Sequence, residues 1–470
     1  MPPKRKNKPH STSTPGQSAD QAKAKFNEAL ALHRQGELAQ AEAIYKKVLK
    51  LQPKHVDALH LLGVIAGQMG KYQLAADLIG KAIKIQPNNA AFYSNRGNAL
   101  HELKQVDAAL ASFDQAIAIK PDFVDAFYNR GSVLQELNQL DAAVASYDQA
   151  IALKPDFAKA GFNKALALLL SGNFEKAWEL YEWRWQCGDA SMSPKRLFRQ
   201  PLWLGKESIS GKTILLHSEQ GLGDTIQFCR YAKLVTELGA RVIMEAPKPL
   251  LSLLKVLEGV AELVEANTPL PAFDVHCPLL SLPLACKTKL DTVPTAPAYL
   301  KSDPAKVAGW ECKLGVKTQP RVGIVWSGTT SKKKHLNRNI PLAELVRHLP
   351  DTCEYVSLQK EVRGSDQATL GKCPQIKHYG AELNDFADTA ALCELMDWVV
   401  CVDTSVAHLA GALGKPTWVL LPFNPDWRWL LDRSDSVWYP SMTLYRQSAV
   451  GDWTSVLAQI RADCFTRLVG

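Results

Sequence analysis

Residue types able to do chemistry gather at a few points in the second half of this 470-residue chain. At the first, Gly221-Leu222-Gly223-Asp224-Thr225 stands between a short apolar run and a helical one. Glycines at a strand-to-helix turn let backbone approach a ligand, and Asp224 would start the helix facing a cleft. The same residues also make a plain helix start, since Asp and Thr are favoured caps worth about 1 kcal/mol. At the second, Val402-Asp403-Thr404-Ser405-Val406-Ala407-His408 places hydroxyls after a strand and at the opening of a helix. The free N–H groups and dipole of such a helix favour a phosphate. His408 follows Thr404 by one turn and can donate to the same anion; a capped helix with a packed histidine is the alternative. A third candidate is the basic loop Ser331-Lys332-Lys333-Lys334-His335 with Arg338 beyond it, either a diphosphate clamp or a solvated loop. Gln359, ending a strand, reads as a hydrogen-bonding group for a base or sugar, or as structural. Trp427, Trp429, Trp438 and Tyr439 read as packing between domains.

Strands must precede those residues and helices follow them, and the flanking pattern supplies both. Thr213–Ser218, Arg241–Ala246 and Glu262–Ala266 are short strand runs, with helices predicted over Thr225–Leu238 and near Leu250–Leu257. Thr288–Lys306, rich in Pro, Thr and Lys, reads as a linker. A second series follows: strands at Arg321–Trp326, Glu354–Leu358, Trp398–Val402 and Thr417–Leu421, with helices at Leu342–Leu349, Phe386–Met396, Val406–Leu413 and Trp453–Leu468. This alternation predicts parallel sheets with crossover helices, two Rossmann-like halves around a cleft. In open sheets of that kind ligands sit beyond the carboxyl ends of the strands, where the candidates fall.

The first half has a different period. Pro53, Pro87, Pro121 and Pro155 are 34 residues apart, and Gly63, Gly97 and Gly131 keep the same spacing, as do Ala41, Ala75, Ala109 and Ala143. Tyr45, Phe113 and Tyr147 share it too. That is the tetratricopeptide repeat (TPR) pattern of paired antiparallel helices, in which small residues permit close approach and proline ends the second helix. A fifth unit keeps Ala165, Ala177 and Tyr181, has Asp189 in place of proline, and runs into Trp178, Trp183, Trp185 and Trp203. An atypical terminal repeat reads as a cap, here with an aromatic surface docking the next domain. The sixth repeat position holds Asn27, Leu61, Asn95, Asn129 and Asn163, on the helix lining the concave face. An amide there can donate to and accept from a peptide backbone, so Asn95, Asn129 and Asn163 are candidates for binding an extended protein acceptor. Asparagine as a common residue of this helix is the alternative.

Composition bounds the rest. Apolar content of 46% and charged content of 22% are those of an ordinary globular protein, and no apolar run reaches the ~18 residues that span a bilayer. The start, with Lys4, Arg5, Lys6 and Lys8 among Pro, Ser and Thr, is expected to be a disordered basic tail rather than a signal or a nucleic-acid arm. All ten cysteines lie from Cys187 onward without a C-x-x-C pair, which predicts reduced thiols, a cytoplasmic location and no zinc site. No Asp-x-Asp occurs, against the metal-dependent sugar-nucleotide enzymes, and there is no Walker A, H-E-x-x-H or G-x-S-x-G.

Gly221-Leu222-Gly223-Asp224 after the first strand, with Asp403 to Pro416 late in the second half, resembles the bacterial heptosyltransferase family over roughly residues 210–425. Repeats ahead of such a region also resemble protein O-GlcNAc transferase, which uses a similar asparagine ladder, and bacterial repeat-bearing flagellin glycosyltransferases. The resemblance implies a GT-B fold, inversion at the anomeric carbon and no required metal or other cofactor. It places the catalytic aspartate on Asp224 and the nucleotide-diphosphate motif on Asp403, Thr404, Ser405 and His408. Gly221, Gly223, Lys334, Arg338 and Gln359 join them as expected donor contacts. The expected architecture is a tail over 1–20, an α-solenoid of TPR repeats over 21–190, and α/β Rossmann-like domains over 191–305 and 306–470. The expected function is a glycosyltransferase moving sugar from a nucleotide sugar to a protein, with flagellin one candidate acceptor. A lipid or saccharide acceptor and an inactive repeat scaffold are the rivals, and neither nucleic acid nor a membrane span is expected.

Overall fold

The computed structural model describes residues 15–188, 195–328 and 337–469, which form two compact units divided between Ala160 and Gly161. The first unit is a run of helix pairs: α1 (Pro15–Arg34) with α2 (Leu38–Leu51), α3 (Val56–Gln68) with α4 (Tyr72–Ile85), α5 (Ala90–Glu102) with α6 (Val106–Ile119), and α7 (Val124–Glu136) with α8 (Leu140–Leu153). Each repeat proline falls just after the second helix, as the period predicts. A side chain at Gly97 would put Cβ 2.6 Å from Phe113 Cε1, and one at Gly131 would put it 2.7 Å from Tyr147 Cε1. In these two pairs the glycine of the first helix is therefore the seat of the aromatic ring from the second; Gly63 seats Ile79 in the same way. The turn joining each pair uses a left-handed residue on the same period, Gly36, Gly70, Lys104, Asn138 and Gly172. Helix α1 begins at Pro15, so residues 15–20 are helical where a tail was expected; residues 1–14 lie outside the described residues.

Helix α9 (Ala158–Leu170) crosses the division, and α10 (Phe174–Tyr181) belongs to the second unit. Two sheets follow. The first contains β1 (Thr213–His217), β2 (Arg241–Ala246), β3 (Glu262–Glu265) and β4 (Val275–Pro278) in the order β3-β2-β1-β4, every pair parallel. Its helices are α11 (Leu222–Phe228), α12 (Tyr231–Glu237) and the short α13 (Leu251–Leu254) and α14 (Leu282–Ala285). After α15 (Pro304–Leu314) comes a six-stranded parallel sheet ordered β10-β9-β8-β5-β6-β7. Its strands are β5 (Arg321–Val325), β6 (Glu354–Ser357), β7 (Ile376–His378), β8 (Trp398–Val402), β9 (Thr417–Leu421) and β10 (Met442–Arg446). The helices among them are α16 (Leu342–Val346), α17 (Gly364–Leu370), α18 (Phe386–Glu394), α19 (Ser405–Ala412) and α20 (Trp453–Val469). Both sheets wind outward from their first strand, so the order reverses between β1 and β4 and again between β5 and β8. Those are the switch points at which such sheets open a crevice.

Three differences from the sequence reading have local causes. The helix expected over Thr225–Leu238 is two helices, because Arg230 turns inward at the break. Its Nε donates to the Gln227 carbonyl at 2.8 Å and its Nη1 to the Trp438 carbonyl at 2.6 Å. The helix near Leu250–Leu257 shrinks to α13, and β4, β7 and β10 are strands the alternation did not show. The segment read as a linker is pinned: Tyr231 and Thr288 hydroxyls meet at 2.8 Å, and the Tyr299 N–H donates to the Ala412 carbonyl at 2.9 Å.

Candidate functional site

The loops after β1, β5, β6 and β8 border one cleft of about 1030 Å³. Gly221, Gly223, Asp224, Arg338, Gln359, Asp403, Thr404, Ser405 and His408 all line it, so the structure brings together the described donor-side candidates. Lys334 lies outside the described residues. Asn95 and Asn129 belong to the first unit, and Asn163 stands half-buried on α9.

Helices α11 and α19 start at this cleft and meet there. A Cβ on Gly223 would fall 2.8 Å from His408 Cδ2 and 3.3 Å from the Ser405 Cα, so glycine is what lets the two helix starts touch. Asp224 both closes a helix turn and faces the cleft. Its Oδ2 accepts from the Gly221 N–H at 2.8 Å, closing the first turn of α11, while the side chain stays partly open to the cleft. Its Oδ1 accepts from Arg428 Nη2 at 2.5 Å.

Across from it, α19 opens at Thr404, whose backbone is extended and whose Oγ1 is buried without a hydrogen-bond partner. Buried hydroxyls are nearly always satisfied, so this one points to a missing acceptor or donor in the cleft. Asp403 is buried beside it, with Arg338 Nη1 3.7 Å from its Oδ2. Burial, reinforced by the Asp426 charge and opposed by Arg338 and Arg428, raises the Asp403 carboxyl above its ordinary range. His408 is packed behind the helix start, stacked on Trp429 at 5.5 Å, with Nδ1 2.9 Å from the Tyr439 hydroxyl. Burial, then the Arg428, Arg230 and Arg338 cations, pushes it well below the usual imidazole range. His408 is therefore neutral, and its tautomer sets the direction of the hydrogen bond between Nδ1 and Tyr439.

Two of the candidate amides already carry hydrogen bonds within the protein. The Gln359 oxygen accepts from the Trp326 and Ser327 N–H groups at 2.7 and 2.9 Å, and its amide nitrogen donates to Ser327 Oγ and the Glu361 carbonyl at 3.1 and 3.0 Å. That amide is spent on shaping the loop after β5 and does not reach for a base or sugar. Asn95 Nδ2 lies 2.8 Å from His60 Nε2, so this rung of the expected amide ladder is tied to the neighbouring repeat.

The sequence reading missed the charges that hold these loops. Arg428, one turn after β9, contacts Asp224, Gln227 and Asp426. Its signal was present: a basic residue between two tryptophans beyond the carboxyl end of a strand. Arg184, just after α10, grips Glu219 with Nε and Nη2 at 3.0 and 2.9 Å, two residues ahead of Gly221. No local pattern marks that pair.

Tetratricopeptide repeat families match residues 32–94, 78–111 and 124–157, and a TPR repeat family matches 97–138. Residues 32–157 are thus TPR repeats. Protein FlbA of Caulobacter vibrioides (strain ATCC 19089 / CIP 103742 / CB 15) is 26% identical over 333 residues, covering 63% of this chain. The chain spans about half the length of that curated relative, 53%. Among solved structures, MamA is 26% identical over 34% of this chain and 93% of its own, with a TM-score of 0.32. YrrB, described as a TPR protein with an unusual peptide-binding site, is 23% identical over 37% of this chain and 93% of its own, with a TM-score of 0.32. Among the described residues no helix is long and apolar enough to cross a membrane.

Proposed function

We propose that the chain is a GT-B glycosyltransferase that moves a sugar from a nucleotide sugar to a hydroxyl of a protein held by its repeats. The observation that carries this reading is the cleft at the switch points of both sheets, with a carboxylate on one wall and an unsatisfied helix start on the other. Its volume suits a nucleotide sugar. The donor diphosphate would lie at the start of α19, taking the Thr404 hydroxyl, the free N–H groups there and the Arg338 charge. Asp224 would accept the proton of the acceptor hydroxyl as that oxygen bonds the anomeric carbon from the far side. The bond from that carbon to the diphosphate breaks, its electron pair staying on the leaving oxygen, and configuration inverts. Fixed donors and a cation placed where charge develops do the work of a metal in this scheme. TPR repeats bind peptides and proteins, which favours a protein acceptor over a lipid.

The test is thermal-shift binding of nucleotide sugars and free nucleotides without added metal, followed by turnover of Asp224→Asn. Stabilisation by one nucleotide family, with a rate about 10²–10⁴ lower in a folded Asp224→Asn, is expected. A wild-type rate in that variant ends the assignment. Removing residues 1–160, at the division between units, should abolish protein modification and spare donor binding.

A further inference from the structure

Asp224 is held from the opposite half of the cleft. Arg428 follows β9 in a single turn, Trp427–Trp429, capped by Asp426, and its side chain is 7% exposed. Three acceptors share the guanidinium: Asp224 Oδ1 at 2.5 Å, Gln227 Oε1 at 2.5 Å and Asp426 Oδ1 at 2.8 Å. The fork lies 4.3 Å from the Trp427 ring centroid and 5.6 Å from that of Phe228. Gln227 and Phe228 belong to α11, so one cation ties that helix to the loop after β9.

We propose that Arg428 is the positioning residue of the transfer step: it fixes the Asp224 carboxylate so that a remaining lone pair meets the acceptor hydroxyl. This rests on the reading of Asp224 as the base. A carboxylate oxygen carries two lone pairs. The Gly221 N–H takes one on Oδ2 and Arg428 one on Oδ1, leaving the other pair on each oxygen for the acceptor. Two bonds from different elements remove the freedom of the side chain to rotate. A planar fork holds its three acceptors at set angles, whereas lysine's three donors turn freely about a point charge on a flexible stem. Arg428 also borders the cleft, but its three hydrogen bonds go to Asp224, Gln227 and Asp426, so it acts on the acceptor hydroxyl through Asp224, and its loss should slow turnover more than it weakens donor binding.

The experiment compares full-length wild type, Arg428→Lys, Asp224→Asn and the double variant, using the nucleotide sugar that most stabilises the wild type and following release of nucleoside diphosphate. A displacement of about 1 Å costs on the order of a hundredfold. Arg428→Lys should therefore lower kcat about ten- to a hundredfold with donor KM within about twofold. On the Asp224→Asn background it should cost nothing further, because residues acting as a unit are not additive. Arg428→Gln carries the same expectation if the lysine variant does not fold. A raised donor KM with kcat kept, a loss that multiplies onto that of Asp224→Asn, or failure of both Arg428 variants to fold beside a folded Asp224→Asn each overturns the proposal alone. A wild-type rate in Asp224→Asn, or no stabilisation by any nucleotide sugar, overturns the base reading and this inference with it.

Discussion

Replacing Arg184 by Met should cost the α/β unit about 3–5 kcal/mol, the usual penalty for leaving one member of a buried ion pair behind. The Arg184 and Glu219 side chains are 1% and 4% exposed. Arg184 also donates to the Tyr181 carbonyl, to Glu182 and to Ser281 Oγ, and it stacks on Trp185 at 4.3 Å. In Arg184→Met the Glu219 carboxylate keeps one donor named here, the Leu280 N–H at 3.1 Å. Burial already holds the Glu219 carboxyl above its ordinary range despite Arg184, and loss of the cation moves it higher. A carboxyl raised in the folded state binds a proton that the unfolded chain has released. The variant's deficit should therefore be full at pH 8 and shrink on acidification, by at most about 1.4 kcal/mol per unit. Arg184→Met/Glu219→Gln should recover most of the loss, since no charge is then stranded. Urea unfolding followed by tryptophan emission is the assay, and it is selective: all 12 tryptophans lie at or beyond Trp178, within the second unit. A deficit under about 1 kcal/mol, or one identical at pH 8 and pH 5.5, would refute the reasoning.

Two further predictions use the same assay. His217, the last residue of β1, has Nε2 3.2 Å from Nδ1 of His276 within β4, and burial, then the charges of His276 and Arg196, pushes His217 down to about 3. Between that value and its unfolded one near 6.5 only the unfolded chain takes the proton, so this group's contribution is lost on acidification, by about 2 kcal/mol at pH 5. His276, itself pushed down to about 4, and the buried His408 act in the same direction, so His217→Gln should make the acid limb shallower by about that amount without abolishing it; equal slopes in both proteins would contradict it. Thr404→Val removes the unpaired hydroxyl, and should raise stability by about 1 kcal/mol while weakening nucleotide-sugar binding. Lower stability with unchanged binding would show that the hydroxyl serves the fold instead.

What could be read from the chain follows from what each element buries. The helix pairs were legible because one steric rule, a ring seated on a glycine, repeats at Gly97 and Gly131. Strands β8 and β9 were legible because burial on both faces makes them nearly continuous apolar runs. β7 has three residues, and β4 carries His276 and Pro278, so neither shows such a run. The cleft residues were found because glycine, hydroxyl and carboxylate after a strand are local signals. The partners of Gln359 and Asn95 were not, since an amide looks the same whether its bonds go to a ligand or to Ser327 and His60.

The loop bearing Asp224 is held by charges that come from elements without chemistry of their own. On its upstream side Glu219 is fixed by Arg184, from the turn that follows the fifth repeat. On its downstream side Asp224 and Gln227 are fixed by Arg428, from the turn after β9. Helix α10, which precedes the Arg184 turn, packs on the segment after β9 by aromatic contact, Trp178 against Trp427 at 5.6 Å and Phe174 against Trp438 at 6.0 Å. Trp178 also donates from Nε1 to the Thr288 carbonyl at 2.8 Å, in the segment joining the two sheets. The fifth repeat departs from the other four at the residues that make these contacts. Phe174 and Trp178 are thus the residues by which the fifth unit packs onto the α/β sheets. A side chain that must be placed to within an ångström is better held by buried, multiply bonded arginines than by the glycine-rich helix start that carries it alone.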